Sequence, residues 1–153
     1  MAFAAEPYVR QVYYYETDRM SIVHHSNYIR WFEESRLDFM RQAGLPYEAI
    51  EREGILMPVT DVSAKFLSPS RYGDTVRIFP FMTEFNGVRA SFRYEVRLPD
   101  GKLLATGTSG HCFVDERTRV PLNLKKRDPK AYELLRGLTE PDGAQADKEE
   151  NKR

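Results

Sequence analysis

Apolar residues in this chain follow two rhythms. Between Ser26 and Gly44, Tyr28, Ile29, Trp31, Phe32, Phe39, Met40 and Ala43 recur at helical spacing, with small Ser35 on the same stripe. Arg30, Glu33, Glu34, Asp38 and Arg41 fill the other side. Ser26 or Asn27 suits the N-cap, and Gly44 followed by Pro46 is a stop signal. At ~1.5 Å per residue the helix is about 25 Å long. A shorter helix is predicted over 47–53, closed by Gly54.

Elsewhere the period is two. Tyr8 to Tyr15 is rich in aromatic and β-branched residues and predicts a strand. Met57 and Val59 share one phase and Val62, Ala64 and Phe66 the other, so a bulge is expected near Thr60-Asp61. A strand follows from Thr75 to Phe85, with Pro80 marking an edge or bulge. Asn86-Gly87 is a tight turn. Ala90, Phe92, Tyr94, Val96 and Leu98 then alternate with polar residues, as in a half-buried antiparallel strand. Pro99-Asp100-Gly101 turns the chain into a last strand, Leu103 to Val114. Runs of strands beside one dominant helix indicate an α+β fold.

Composition narrows the function. The chain has 153 residues, one domain by size. Lys plus Arg equals Asp plus Glu at 23 each, against a dedicated polyanion binder but compatible with a local basic patch. A nucleic-acid partner is not expected. The one cysteine, Cys112, forms no internal disulfide and excludes a Cys-based zinc site; a reducing, cytoplasmic location is expected. No apolar run nears the ~20 residues of a membrane span, and the N-terminus lacks a signal-peptide pattern. Residues 1–7 read as a flexible arm, 8–138 as the domain and 139–153 as a disordered tail, which has no aliphatic residue larger than Ala.

The chemistry concentrates between the first strand and the long helix, from Tyr13 to Tyr28. This loop carries Asp18, His24 and His25 and ends at a helix N-terminus. The first amides of a helix lack internal partners and carry partial positive charge. They suit a developing oxyanion, and an acid a few residues upstream suits attack on the polarised carbonyl as nucleophile or base. Asp18 also fits a plain turn cap. His24 and His25 are adjacent, so their rings are expected to diverge, and they lack the i,i+4 spacing of a helical zinc pair; no metal site is expected. His111 reads as a satisfied structural histidine, Cys112 as a small buried hydrophobe, and Lys125-Lys126-Arg127 as a solvated patch.

These residues resemble the 4-hydroxybenzoyl-CoA thioesterase family of hotdog-fold acyl-CoA thioesterases. The match runs through Tyr14-x-x-Thr17-Asp18, Ile22-Val23-His24-His25-Ser26-Asn27-Tyr28, Trp31 and Glu34-x-Arg36. Phe66-x-Ser68-Pro69-x-x-x-Gly73-Asp74, then Val114-Asp115 and Pro121, continue it over roughly 8–125. The resemblance implies a hotdog fold, an antiparallel sheet wrapped around one long central helix. It implies Asp18 as the catalytic aspartate, nucleophile or general base, the backbone N–H of His25 as the donor that polarises the thioester carbonyl, and Tyr14 and the His25 side chain as groups that orient water or Asp18. The family usually has Gly three residues after that Asp; Ser21 stands here.

The implied activity is hydrolysis of an acyl-CoA to a free acid and coenzyme A, with no cofactor beyond the CoA carried by the substrate. Tyr28, Phe32 and Met57 are expected to line the acyl chamber. Lys65 and Arg71 are candidates for the CoA phosphates, against ordinary surface solvation. A homodimer or homotetramer is implied, with the site between subunits. The rival readings are a non-catalytic acyl-CoA-binding module and a thioesterase acting on acyl carrier protein.

Overall fold

The computed structural model describes residues 3–141. Strand β1 spans Tyr8–Gln11, helix α1 Ser26–Gln42 and helix α2 Tyr47–Arg52. Strands β2 (Ile55–Leu56), β3 (Val59–Phe66), β4 (Thr75–Phe85), β5 (Arg89–Arg97), β6 (Leu103–Cys112) and β7 (Val114–Asp115) follow. Two short helices, α3 (Leu124–Arg127) and α4 (Pro129–Arg136), close the described chain. Five strands form an antiparallel sheet in the order β1-β4-β5-β6-β3, and β2 pairs with β7 in a two-stranded sheet. Helix α1 packs on the five-stranded sheet, giving the α+β hotdog arrangement.

The helix forms where the 3.6-residue period places its bulk on one side. Tyr28, Trp31, Phe32, Phe39 and Met40 are buried against Ile78, Met82, Phe92, Tyr94 and Val96. Each such side chain contributes about 1.5–3 kcal/mol by leaving water. Ile29 does not join this stripe and is exposed; Arg36 takes a buried place on it instead. Its Nη1 donates to the Tyr94 hydroxyl at 3.0 Å, which offsets part of the cost of burying a cation. The helix stops at Gly44, whose φ of +85° only glycine adopts without strain.

The sheet differs from expectation mainly at segment ends. β1 stops at Gln11, and Tyr14–Glu16 is a 3-10 turn. A buried carboxylate, Glu16, draws the chain off the sheet, because Tyr13 N donates to its Oε1 at 2.8 Å. The bulge falls between Val59 and Asp61. Pro80 lies beyond the reach of β1, which pairs only with Thr75–Ile78, so its missing N–H breaks no ladder there. β6 ends at Cys112, which is half-buried, and Val114–Asp115 leaves for the second sheet. Arg127 is no free surface charge: its Nη1 holds Asp115 Oδ2 at 2.8 Å.

Residues 3–7 and 139–141, on either side of the expected domain, make specific contacts with it. In the arm, Phe3 meets Phe39 edge-on at 5.2 Å and Glu6 N donates to Gln42 Oε1 at 2.8 Å. Past Leu138, Thr139 bridges to Met82 beside β4, and Glu140 grips Arg93 through Nε and Nη2, both at 2.8 Å. The exposed stretch of the β4 edge and a buried guanidinium are what Thr139 and Glu140 meet. Residues 142–153 of the expected tail lie outside the described residues.

Candidate active site

The loop between β1 and α1 closes on itself. Thr17 bridges to Val23, Asp18 N donates to Ile22 O at 2.8 Å and Ser21 N to Asp18 O at 3.0 Å. This tight turn forces Ser21 to φ +63°, a left-handed conformation that favours glycine. The departure at Ser21 is therefore a strained residue in an otherwise regular turn. Asp18 Oδ1 accepts Met20 N at 2.7 Å, so the turn-capping role is real. Among the described residues, Oδ2 has no partner and is left for chemistry.

At the start of α1, His25 occupies the cap position without a side-chain cap. Neither Ser26 nor Asn27 caps the helix as expected; both lie within it. Most first-turn amides are already engaged. Ser26 N donates to His24 Nδ1 at 3.2 Å, Asn27 N to His24 O at 3.0 Å and Tyr28 N to His25 O at 3.3 Å. The His25 amide, among the described residues, has no acceptor. It is therefore the donor the helix end leaves open. The His24 and His25 rings do not diverge: their centroids lie 4.1 Å apart. His24 Nδ1 also meets Ser26 Oγ at 2.8 Å, which draws its ring toward the helix.

Asp18 and His25 both line a cleft of about 340 Å³, with Met20, Ile22, Val23, Tyr28 and the Phe66–Pro69 segment. One wall is polar, with Asp18 and His25, and the rest is largely apolar. Tyr28 is buried, and its hydroxyl and the Ser70 Oγ lie 2.8 Å apart. Burial pushes its phenol pKa up, so it stays neutral and able to donate.

Of the eight residues expected at the site, Asp18, His25 and Tyr28 line this cleft and five do not. Tyr14 is 76% exposed and its ring packs edge-on against Tyr72, because the 3-10 turn points it away. Phe32 lies deep in the core, stacked on Tyr94 at 4.5 Å. Met57 is buried in the core, its N–H held by the Tyr47 hydroxyl at 3.1 Å. Lys65 and Arg71 are exposed, outside the cleft, on the strand and loop that flank Phe66 and Pro69. Met20, Ile22, Val23 and the Phe66–Pro69 segment were not assigned to the site; the loop motif that included Phe66, Ser68 and Pro69 was the available signal.

A second polar group lies in the core. Tyr94 Oη and Ser109 Oγ are 2.6 Å apart, and Ser109 Oγ and His111 Nε2 2.7 Å apart, with Arg36 at the other end of the chain. His111 is not fully satisfied: among the described residues its Nδ1 has no partner. Burial, then the Arg36 charge, lower its pKa to about 4. Among the described residues no three His, Cys, Asp or Glu side chains gather as a metal-ligand set. None of the described helices is long and apolar enough to cross a membrane.

Comparison with known proteins decides the family. Residues 12–140 match the thioesterase-like superfamily. The chain belongs to that family. YneP of Bacillus subtilis strain 168, provisionally named an acyl-CoA thioesterase, is 34% identical over 119 residues, covering 78% of this chain and 86% of its own. The acyl-CoA thioester hydrolase YbgC of Escherichia coli O157:H7 is 25% identical over 117 residues, 76% of this chain and 84% of its own. The solved structure of a DHNA-CoA thioesterase from Staphylococcus aureus superposes with a TM-score of 0.82 at 29% identity, covering 86% of this chain and 88% of that one. As a member of this superfamily with such relatives, the chain is a thioester hydrolase with acyl-CoA thioesterase activity. The fold is that of its hotdog neighbours.

Proposed function

We propose that this thioesterase hydrolyses acyl-CoA at the Asp18–His25 cleft and belongs to the 4-hydroxybenzoyl-CoA thioesterase branch of its superfamily. The supporting observation is that Asp18 and His25 line one cleft, and that among the described residues one Asp18 oxygen and the His25 amide have no hydrogen-bond partner. The thioester oxygen accepts from the His25 N–H; one such donor contributes about 3–4 kcal/mol to the transition state. Asp18 either attacks the carbonyl carbon, forming a mixed anhydride that water then cleaves, or takes a proton from water as water attacks. In both routes the C–S bond breaks, the sulfur leaves as coenzyme A thiolate, and the acyl group leaves as a carboxylate. Met20, Ile22, Phe66 and Leu67 supply apolar surface for the acyl group.

The unit is a homodimer. β3 is a free edge of the sheet, with Val59, Val62, Phe66 and Leu67 exposed along and just past it. Antiparallel pairing of β3 with a second copy about an axis at Ser63 would set Asp61 opposite Lys65 of that copy, and the reverse.

The test is thiol release from a panel of aromatic and aliphatic acyl-CoA substrates, beside matched acyl carrier protein thioesters. Higher kcat/KM on CoA thioesters is expected. A preference for the carrier-protein thioesters would replace this reading with its rival. Sizing by light scattering is expected to give at least twice the monomer mass, and an active monomer would refute the dimer.

A further inference from the structure

We propose that Glu16 is a positioning residue of this active site, a buried group that ties the Asp18 turn to the N-terminus of α1. The proposal rests on the reading of Asp18 and His25 given above. Glu16 is only 3% exposed, and both of its carboxylate oxygens are used. Oε1 accepts from Arg10 Nη2 at 2.7 Å and from Tyr13 N at 2.8 Å. Oε2 accepts from the indole Nε1 of Trp31 at 2.8 Å. The side chain thus joins β1, the 3-10 turn and the second turn of α1.

The backbone of the same residue completes the clamp. Glu16 O accepts from His24 N at 2.8 Å and from Asn27 Nδ2 at 2.9 Å. His24 and Asn27 flank His25, and Glu16 itself lies two residues before Asp18. The acid and the oxyanion donor are therefore held on either side of one buried residue. A loop held by surface contacts alone drifts, and a misplacement near 1 Å costs up to about 100-fold in rate.

The chemistry selects a carboxylate. Three donors converge on two oxygens, so an acceptor-only group is needed. Glutamine is isosteric, yet it sets an NH2 against either Trp31 or the Arg10 and Tyr13 donors. Arg10 stays paired with Glu34 through Nη1 at 3.0 and 2.8 Å, so Glu16→Gln does not strand a buried cation. Trp31 is the one tryptophan of the chain, so its fluorescence reports this bond directly.

The experiment compares Glu16→Gln, Trp31→Phe, Asp18→Asn and Glu140→Gln with the wild-type protein. Each is assayed for kcat and KM on the fastest acyl-CoA of the panel, for melting temperature and, in the proteins that retain Trp31, for tryptophan emission. Glu16→Gln is expected to shift the emission and to lower kcat about 10-fold or more, with KM within about 3-fold. Trp31→Phe keeps the carboxylate, loses one donor and is expected to lower kcat by a smaller factor. Glu140→Gln loosens a largely buried ion pair far along the chain and is expected to lower the melting temperature without lowering kcat. Unchanged kcat in Glu16→Gln with a shifted emission overturns the proposal. So does a loss of kcat in Glu140→Gln that matches the Glu16 loss. If Glu16→Gln does not fold, full kcat in Trp31→Phe overturns it. Wild-type turnover in Asp18→Asn would instead remove the catalytic reading, whatever Glu16 does.

Discussion

Gly107→Ala tests the placement of the core most sharply. Gly107 sits on β6 opposite Tyr94, on the face turned to α1. A methyl group there would come 2.8 Å from the Ser63 carbonyl oxygen and closer still to the edge of the Phe32 ring. Neither neighbour has room to retreat. Phe32 is stacked at 4.5 Å on Tyr94, and Ser63 belongs to the paired strand β3. Overpacking of this kind costs about 1–3 kcal/mol. For a domain of this size that lowers the melting temperature by about 2–12 °C. The control is Gly137→Ala, where the nearest atom, Leu134 O, is 3.6 Å away and φ is −82°. Its melting temperature should stay within about 2 °C of wild type, as a surface change of ~0.5 kcal/mol allows. Thermal melts by circular dichroism give both numbers. Equal melting temperatures for Gly107→Ala and wild type would show that Phe32 is not wedged beneath the sheet.

Two other consequences follow from backbone strain and from burial. Ser21→Gly removes a left-handed cost of about 1–2 kcal/mol and adds about 0.5–1 kcal/mol of chain entropy, so melts should show an equal or slightly higher midpoint. Ser21→Val should lower it; a gain with valine would mean that the turn relaxes away from φ +63°. His111, at about 4 when folded against ~6.5 unfolded, binds fewer protons folded than unfolded in that window. Its contribution is therefore full above pH 6.5 and is lost as pH falls toward 4, at most about 3 kcal/mol. Imidazole resonances followed by NMR should show His111 neutral down to about pH 4, and a midpoint at or above pH 6.5 would contradict its buried place beside Arg36.

The parts of the fold written in periodicity were legible in the sequence. The α1 stripe, the β4 and β5 alternation, the Asn86-Gly87 turn and the bulge near Asp61 each depend on neighbours a few residues away. Burial of charge does not. Arg36 is inside because Tyr94, 58 residues distant, meets its guanidinium, and Glu16 is inside because Arg10 and Trp31 do. The same limit explains Phe32 and Met57, since a large apolar residue suits a core and an acyl chamber equally. The short helices α3 and α4 carry little periodic signal, although Asp128 before Pro129 is an N-cap pattern, and Asp128 Oδ1 does accept from Ala131 N at 3.2 Å. At the site, the Asp18 turn and the α1 start came from local spacing. The far wall, Phe66 to Pro69, meets them only through tertiary packing.

The central claim is that Asp18 does the chemistry in this cleft. It is tested by steady-state thiol release from an acyl-CoA with Asp18→Asn and wild-type protein side by side. Asparagine keeps the Oδ1 acceptor for Met20 N, so the turn and the melting temperature should hold. The account predicts a fall in kcat of about 10²–10⁴-fold, the range set by loss of a nucleophile or general base. Turnover by Asp18→Asn at the wild-type rate would contradict it.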